Sequence, residues 1–249
     1  MDTNLFFGVD VCKGRWAIAA VREDGGLDSF WIKTSFEEVV SEVKSKSVPL
    51  TLVDIPIGLK SSGSDERRCD REARRFVGKR SSSVFRVPVR QAVYAESREE
   101  ASKINRQITC KGISVQSWGI VEKIKEVDRL LSQDPTLQSR VRETHPEVCF
   151  CGLNGGCPLL YSKRESAGVD KRLKILQRFS KDAKAEYDRI WKSCPRSQLG
   201  KDDVLDAMAA AITAWKCCQD KTYTFPETST EKDAKELRME IVYWRSKAD

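Results

Sequence analysis

One histidine in 249 residues is the first constraint. A lone His145 excludes a metal centre built from several imidazoles and a metalloprotease helix of the His-Glu-x-x-His type, so any metal chemistry rests on carboxylates or thiolates. Long apolar runs are missing too: none approaches the roughly 20 residues that cross a bilayer, and the N-terminus has no charged start followed by a long apolar stretch. The expectation is a soluble, unsecreted, cytoplasmic protein without a membrane partner. Internal repeats and a clear interdomain linker are also lacking, so residues 1–249 read as one domain, with a helical and irregular insertion at about 60–135.

Cysteine is plentiful, at nine residues, but the count is odd and no leader accompanies it. Reduced thiols in a cytosol follow, rather than a disulfide framework. Cys149, Cys151 and Cys157 lie within nine residues and Cys217 adjoins Cys218, a spacing that does not match the paired pattern of a zinc site. Hydrophobic residues make up 40% of the chain, enough for a packed core.

The net charge of +7 is concentrated. Between Arg67 and Arg90 stand nine basic residues against Asp70 and Glu72, so this stretch carries the whole excess. Such a segment suits phosphates, a nucleic-acid backbone included, and equally suits a solvated helix face with internal ion pairs.

Periodicity supplies the order of elements. Leu5–Val11, Trp16–Val21 and Leu27–Ile32 read as strands joined by tight turns at Lys13-Gly14 and Asp24-Gly25-Gly26, an antiparallel meander. Phe36–Lys46 has helical spacing and Leu50–Ile55 returns as a buried strand, which a right-handed crossover sets parallel to the first. Helices are expected at Asp65–Gly78, Glu96–Arg106, Gln116–Leu131, Val169–Phe179, Ala183–Trp191 and Asp202–Cys218, with Ser81–Pro88 irregular, a fifth strand at Arg140–Thr144 and a final apolar piece at Met239–Trp244.

Acids fall where such a sheet places its sites, beyond the C-terminal ends of parallel strands. Asp10 ends the first strand, Asp54 the fourth, and Glu147 follows the fifth. On the Asp202–Cys218 helix, Asp203 and Asp206 share a face, flanked by Ala207, Ala210, Ala211 and Ala214, whose small side chains let the backbone approach the sheet. Asp202 reads as a complement to the helix N-terminus. Gathered carboxylates repel and call for a cation, and hard oxygen donors suit Mg²⁺ or Mn²⁺ in phosphodiester hydrolysis.

These residues resemble the family called domain of unknown function 429. The resemblance rests on Gly8-Val9-Asp10, Val53-Asp54-Ile55-Pro56-Ile57-Gly58-Leu59, Arg68-Cys69-Asp70 with Ala73-Arg74, Ser82-Ser83-Val84-Phe85 with Pro88, Glu143-Thr144-His145-Pro146-Glu147, Lys163 with Gly168 and Arg172, Asp202-Asp203-Val204-Leu205-Asp206-Ala207, and Leu237-Arg238-Met239-Glu240-Ile241. It implies an α/β, RNase H-like three-layer fold, with a mixed sheet of three antiparallel and two parallel strands, and nuclease activity on DNA or RNA. Holliday-junction resolvases of that wider fold look similar in their acids, which would make Asp10, Asp54, Asp203 and Asp206 the metal ligands, with Asp54 standing where the resolvases place a longer Glu. Glu147 joins them as a further ligand or water-orienting base, and His145 as a proton-transfer or structural residue. Arg68, Arg74, Arg80, Arg86, Lys163 and Arg172 are the candidate phosphate binders. The alternatives are an actin-like nucleotide phosphotransferase, disfavoured by the lack of a glycine-rich phosphate loop, and a non-catalytic module that binds nucleic acid or a protein partner.

Overall fold

Strand β1 (Leu5–Cys12) is apolar on both faces, and the computed structural model, which describes residues 4–247, places it at the centre of the main sheet. Lys13 and Gly14 both adopt positive φ, the pairing a two-residue hairpin needs, and return the chain into β2 (Arg15–Arg22). A turn closed by the Arg22 amide on the Gly26 carbonyl leads to β3 (Leu27–Lys33). Ser35 and Glu38 form a capping box that starts helix α1 (Phe36–Ser45), and the crossover ends in β4 (Thr51–Val53), parallel to β1. After a helical segment that spans residues 68–133, β5 (Val141–Glu143) pairs in parallel with β4. The order β3-β2-β1-β4-β5 is a mixed five-stranded sheet of three antiparallel and two parallel strands, the arrangement expected of the RNase H-like class.

Alternation along β1 and β2 sorts their side chains to two sides. Phe7, Val9, Trp16 and Ile18 pack with α1 and α6 (Val121–Gln133). Phe6, Ala17 and Ala19 pack with α7 (Pro146–Leu153), α8 (Ser166–Gln177), α9 (Ala183–Ser193) and α10 (Lys201–Gln219). The stripe of alanines does what its spacing predicts. A Cβ at Gly8 would stand 2.1 Å from both the Ala207 carbonyl oxygen and the Ala211 nitrogen, so α10 rests directly on the β1 backbone.

Between β4 and β5 lie α2 (Arg68–Val77), α3 (Arg90–Val93), α4 (Arg98–Thr109), α5 (Val115–Gly119) and α6. The helix expected at Gln116–Leu131 is two helices that part at Ile120, and a 3₁₀ turn (Gly78–Ser83) runs into the irregular stretch. Helix α7 has no counterpart in the periodicity, because it is buried all round and carries no polar face. The final apolar piece forms the strand Ile241–Tyr243, paired with Tyr223–Phe225 in a separate small sheet.

Candidate active site

The parallel ladder brings the strand-end acids into one row. Val9 and Val53 are register partners, as are Val53 and Glu143, and the ladder runs one step further through the Asp54 amide to the Val9 carbonyl (2.8 Å) and the Thr144 amide to the Val53 carbonyl (3.0 Å). Asp10 and Asp54 therefore stand side by side just past the last β1–β4 partners, and both line a cavity of about 230 Å³ whose walls include Arg67, His145, Lys163 and Asp203.

Asp10 is 6% exposed, and among the described residues no backbone or cationic donor reaches its carboxylate. Burial holds its pKa well above the usual carboxylate range, and repulsion from Asp54 and Asp206 adds to this. Burial also raises Asp54, against the opposing pull of His145 and Lys163. Two acids set side by side and raised by burial and repulsion are the arrangement a cation would relieve.

Helix α10 delivers the other acids. Asp203 Oδ2 accepts from the Gly200 amide at 2.7 Å, capping the helix, and burial raises this carboxyl. Asp206, one turn on, is pushed up to about 6 by burial against the opposing pull of Lys163. The Lys163 ammonium donates to Asp206 Oδ2 at 2.5 Å and stands 3.2 Å from Asp202 Oδ2. Although burial opposes its charge, Asp206 and Asp10 hold Lys163 protonated above the ordinary lysine range.

Lys163 is positioned by a buried arginine. Arg172 Nη1 donates to the Tyr161 and Gly168 carbonyls, both at 3.2 Å, and Arg172 Nη2 to Glu147 Oε1 at 2.5 Å. A Cβ at Gly168 would stand 1.8 Å from the Ser162 carbonyl oxygen, so the start of α8 presses against the loop that carries the lysine. This corrects the expectation for Arg172 as a phosphate binder: it is fully buried and pins the loop instead. Glu147 is likewise buried, held through Oε1 by Arg172 and more distantly by Arg80 (3.5 Å), with Oε2 left without a donor. His145 caps α7. Its Nδ1 accepts from the Glu147 amide, which leaves Nε2–H to donate to the Ser83 carbonyl, each at 3.2 Å.

Sequence reasoning missed a second buried group on the cavity wall. Arg67 binds Asp70 (2.6 Å), Glu143 (2.6 Å) and the Ile57 and Gly58 carbonyls, so it ties α2 and β5 to the loop that leaves Asp54. The only signal was the position of Arg67 at the head of the basic stretch. That stretch is largely consumed inside the molecule: Arg68 pairs with Glu72, Arg74 and Arg86 with Glu66, Arg80 with Glu147, and Arg90 with Asp128 and Asp233. None of Arg68, Arg74, Arg80 and Arg86 lines the cavity. Arg71, Arg75 and Lys79 are exposed and, among the described residues, make no ion pair.

Among the described residues no three acid, thiol or imidazole groups stand close enough to enclose a metal ion. The donor chemistry nonetheless fits Mg²⁺ or Mn²⁺. Such ions commonly take one or two carboxylates and complete their shell with water and substrate oxygens, and Asp10 with Asp54 is a two-carboxylate pair lacking any cationic donor.

Fold and cavity define an α/β protein with an acid-lined crevice at the ends of its parallel strands. Residues 8–231 match the family described as Protein of unknown function (DUF429), and the chain belongs to that family. No curated protein and no solved structure matches it. No helix among the described residues is long and apolar enough to cross a membrane.

Proposed function

We propose that this protein is a divalent-metal-dependent nuclease that hydrolyses phosphodiester bonds in nucleic acid. The observation that carries this reading is the Asp10–Asp54 pair, set on adjacent strands by the β1–β4 ladder and lining one cavity, with no ion-pair partner among the described residues. Asp10 and Asp54 would hold Mg²⁺ or Mn²⁺, with Asp203 beside them. Bound there, the ion would polarise a phosphoryl oxygen and lower the pKa of a water.

The chain's own groups do the rest. Arg67 fixes the loop that follows Asp54 through the Ile57 and Gly58 carbonyls, so this carboxylate keeps its place as charge accumulates. Lys163 pairs with Asp206 and Asp202 and so lessens the negative charge that an incoming phosphate would meet. Arg71, Arg75 and Lys79 give the exposed charge that holds a nucleic-acid backbone. All nine cysteines are free, which fits a reducing cytoplasmic setting.

The test is incubation of purified protein with single-stranded, duplex, hybrid and branched DNA and RNA in Mg²⁺ or Mn²⁺. Cleavage that chelation abolishes supports the reading. Absence of cleavage from every substrate, with nucleotide turnover instead, moves the function to a phosphotransferase.

A further inference from the structure

The acids of the crevice fall into two sets with different counter-charges. Asp10 and Asp54 line the cavity and, among the described residues, make no ion pair. Asp206 and Asp202 have an ammonium, at 2.5 and 3.2 Å. That ammonium is not a wandering surface group. The loop bearing it is clamped at Tyr161 by fully buried Arg172, and the carbonyl of Ser162 is pressed against Gly168, where no side chain fits.

Hydrolases that hold two ions place them roughly 3.5–4 Å apart between shared carboxylates, and the second ion serves to neutralise charge opposite the first. An ammonium bonded to the helix carboxylate already sits where such an ion would draw its oxygen ligands. A divalent cation entering there would have to expel Lys163 from a seat that Arg172 and Gly168 hold.

We propose that Lys163 replaces the second metal ion of a two-ion site, so that this protein binds a single divalent ion, at Asp10 and Asp54. The inference rests on the metal-dependent reading above and specifies its stoichiometry. Lysine thus serves as a built-in cation: its ammonium pairs with the α10 carboxylates and leaves the exchangeable ion to the strand-end pair.

The experiment counts Mn²⁺ bound by the intact chain, reading free Mn²⁺ by its electron paramagnetic resonance signal, for wild type, Lys163→Arg, Lys163→Met and Lys163→Met with Asp206→Asn. One ion is expected in wild type and Lys163→Arg, two in Lys163→Met, and one again in the double variant. If Lys163→Met does not fold, Lys163→Gln takes its place. Two ions in wild type, or one in a folded Lys163→Met or Lys163→Gln, overturns the lysine's role while leaving the metal reading intact. Failure of every variant to bind Mn²⁺ overturns both, so the two failures are told apart.

Discussion

Asp54 stands beside Asp10 because its amide continues the β1–β4 ladder to the carbonyl of Val9, 2.8 Å away. The two acids are brought together by backbone register rather than by contact between their side chains. Like charges are therefore held side by side on the cavity wall, and the first consequences are electrostatic.

Asp10, Asp54, Asp203 and Asp206 all hold protons more tightly than ordinary carboxylates, Asp206 to about 6. A group whose pKa is higher in the folded than in the unfolded chain costs stability as pH rises from its unfolded value, about 4, through its folded one. Without divalent ions, the cluster's contribution should therefore decline from pH 5 to pH 7. Asp10→Asn should flatten that decline and raise the urea midpoint at pH 7.5. Equal slopes for the two proteins in chelator would contradict this.

On the proposed reading, addition of Mg²⁺ or Mn²⁺ should reverse the penalty. Melting temperature at pH 7.5 should rise with ion concentration in wild type and barely move in Asp10→Asn, and the ion effect should fade at pH 5, where protons compete. A shift of equal size in Asp10→Asn would place the ion elsewhere.

Arg172→Met leaves Glu147 buried without its close cation, a loss of about 3–5 kcal/mol by denaturant titration. Adding Glu147→Leu should recover much of it, because an apolar pair of similar volume needs no counter-charge. If Arg172→Met were neutral, the clamp on the Lys163 loop would not be what holds it.

Gly8→Ala and Gly14→Ala separate close approach from turn strain. At Gly14 a Cβ meets nothing within 4 Å, and the cost is the positive φ alone, about 1–2 kcal/mol. At Gly8 the same methyl runs into the α10 backbone, so the loss should be larger, and α10 with its acids should shift. Comparable denaturation midpoints for the two variants would count against direct seating of α10 on β1.

Neutralising Arg71, Arg75 and Lys79 to Gln should weaken nucleic-acid binding and reduce the slope of log affinity against log salt by up to about 3. The same change at Arg68, Arg74 and Arg86 should act mainly on stability, since those groups serve internal acids. A salt slope that responds only to the second set would reverse the assignment.

Much of this architecture could be read from residues alone, for identifiable reasons. The meander followed from turn residues and apolar strands, and the seat of α10 followed from the alanines that face Gly8. Asp10 and Asp54 were legible because an acid closing an apolar strand has no place in a core. Charge partners were not legible. Arg67 and Arg172 look like their exposed neighbours, yet both are buried by contacts with residues 76 and 25 positions away, Glu143 and Glu147. The same blindness hid α7, whose all-round burial erases the periodicity that betrays a helix, and made Lys163 look like a free phosphate ligand rather than the partner of Asp206.

The most direct measurement is a crystal grown in Mn²⁺ with anomalous data collected at the manganese edge. One anomalous peak within coordination distance of both Asp10 and Asp54 is the expected result. A map without a peak there at saturating Mn²⁺ would contradict the account.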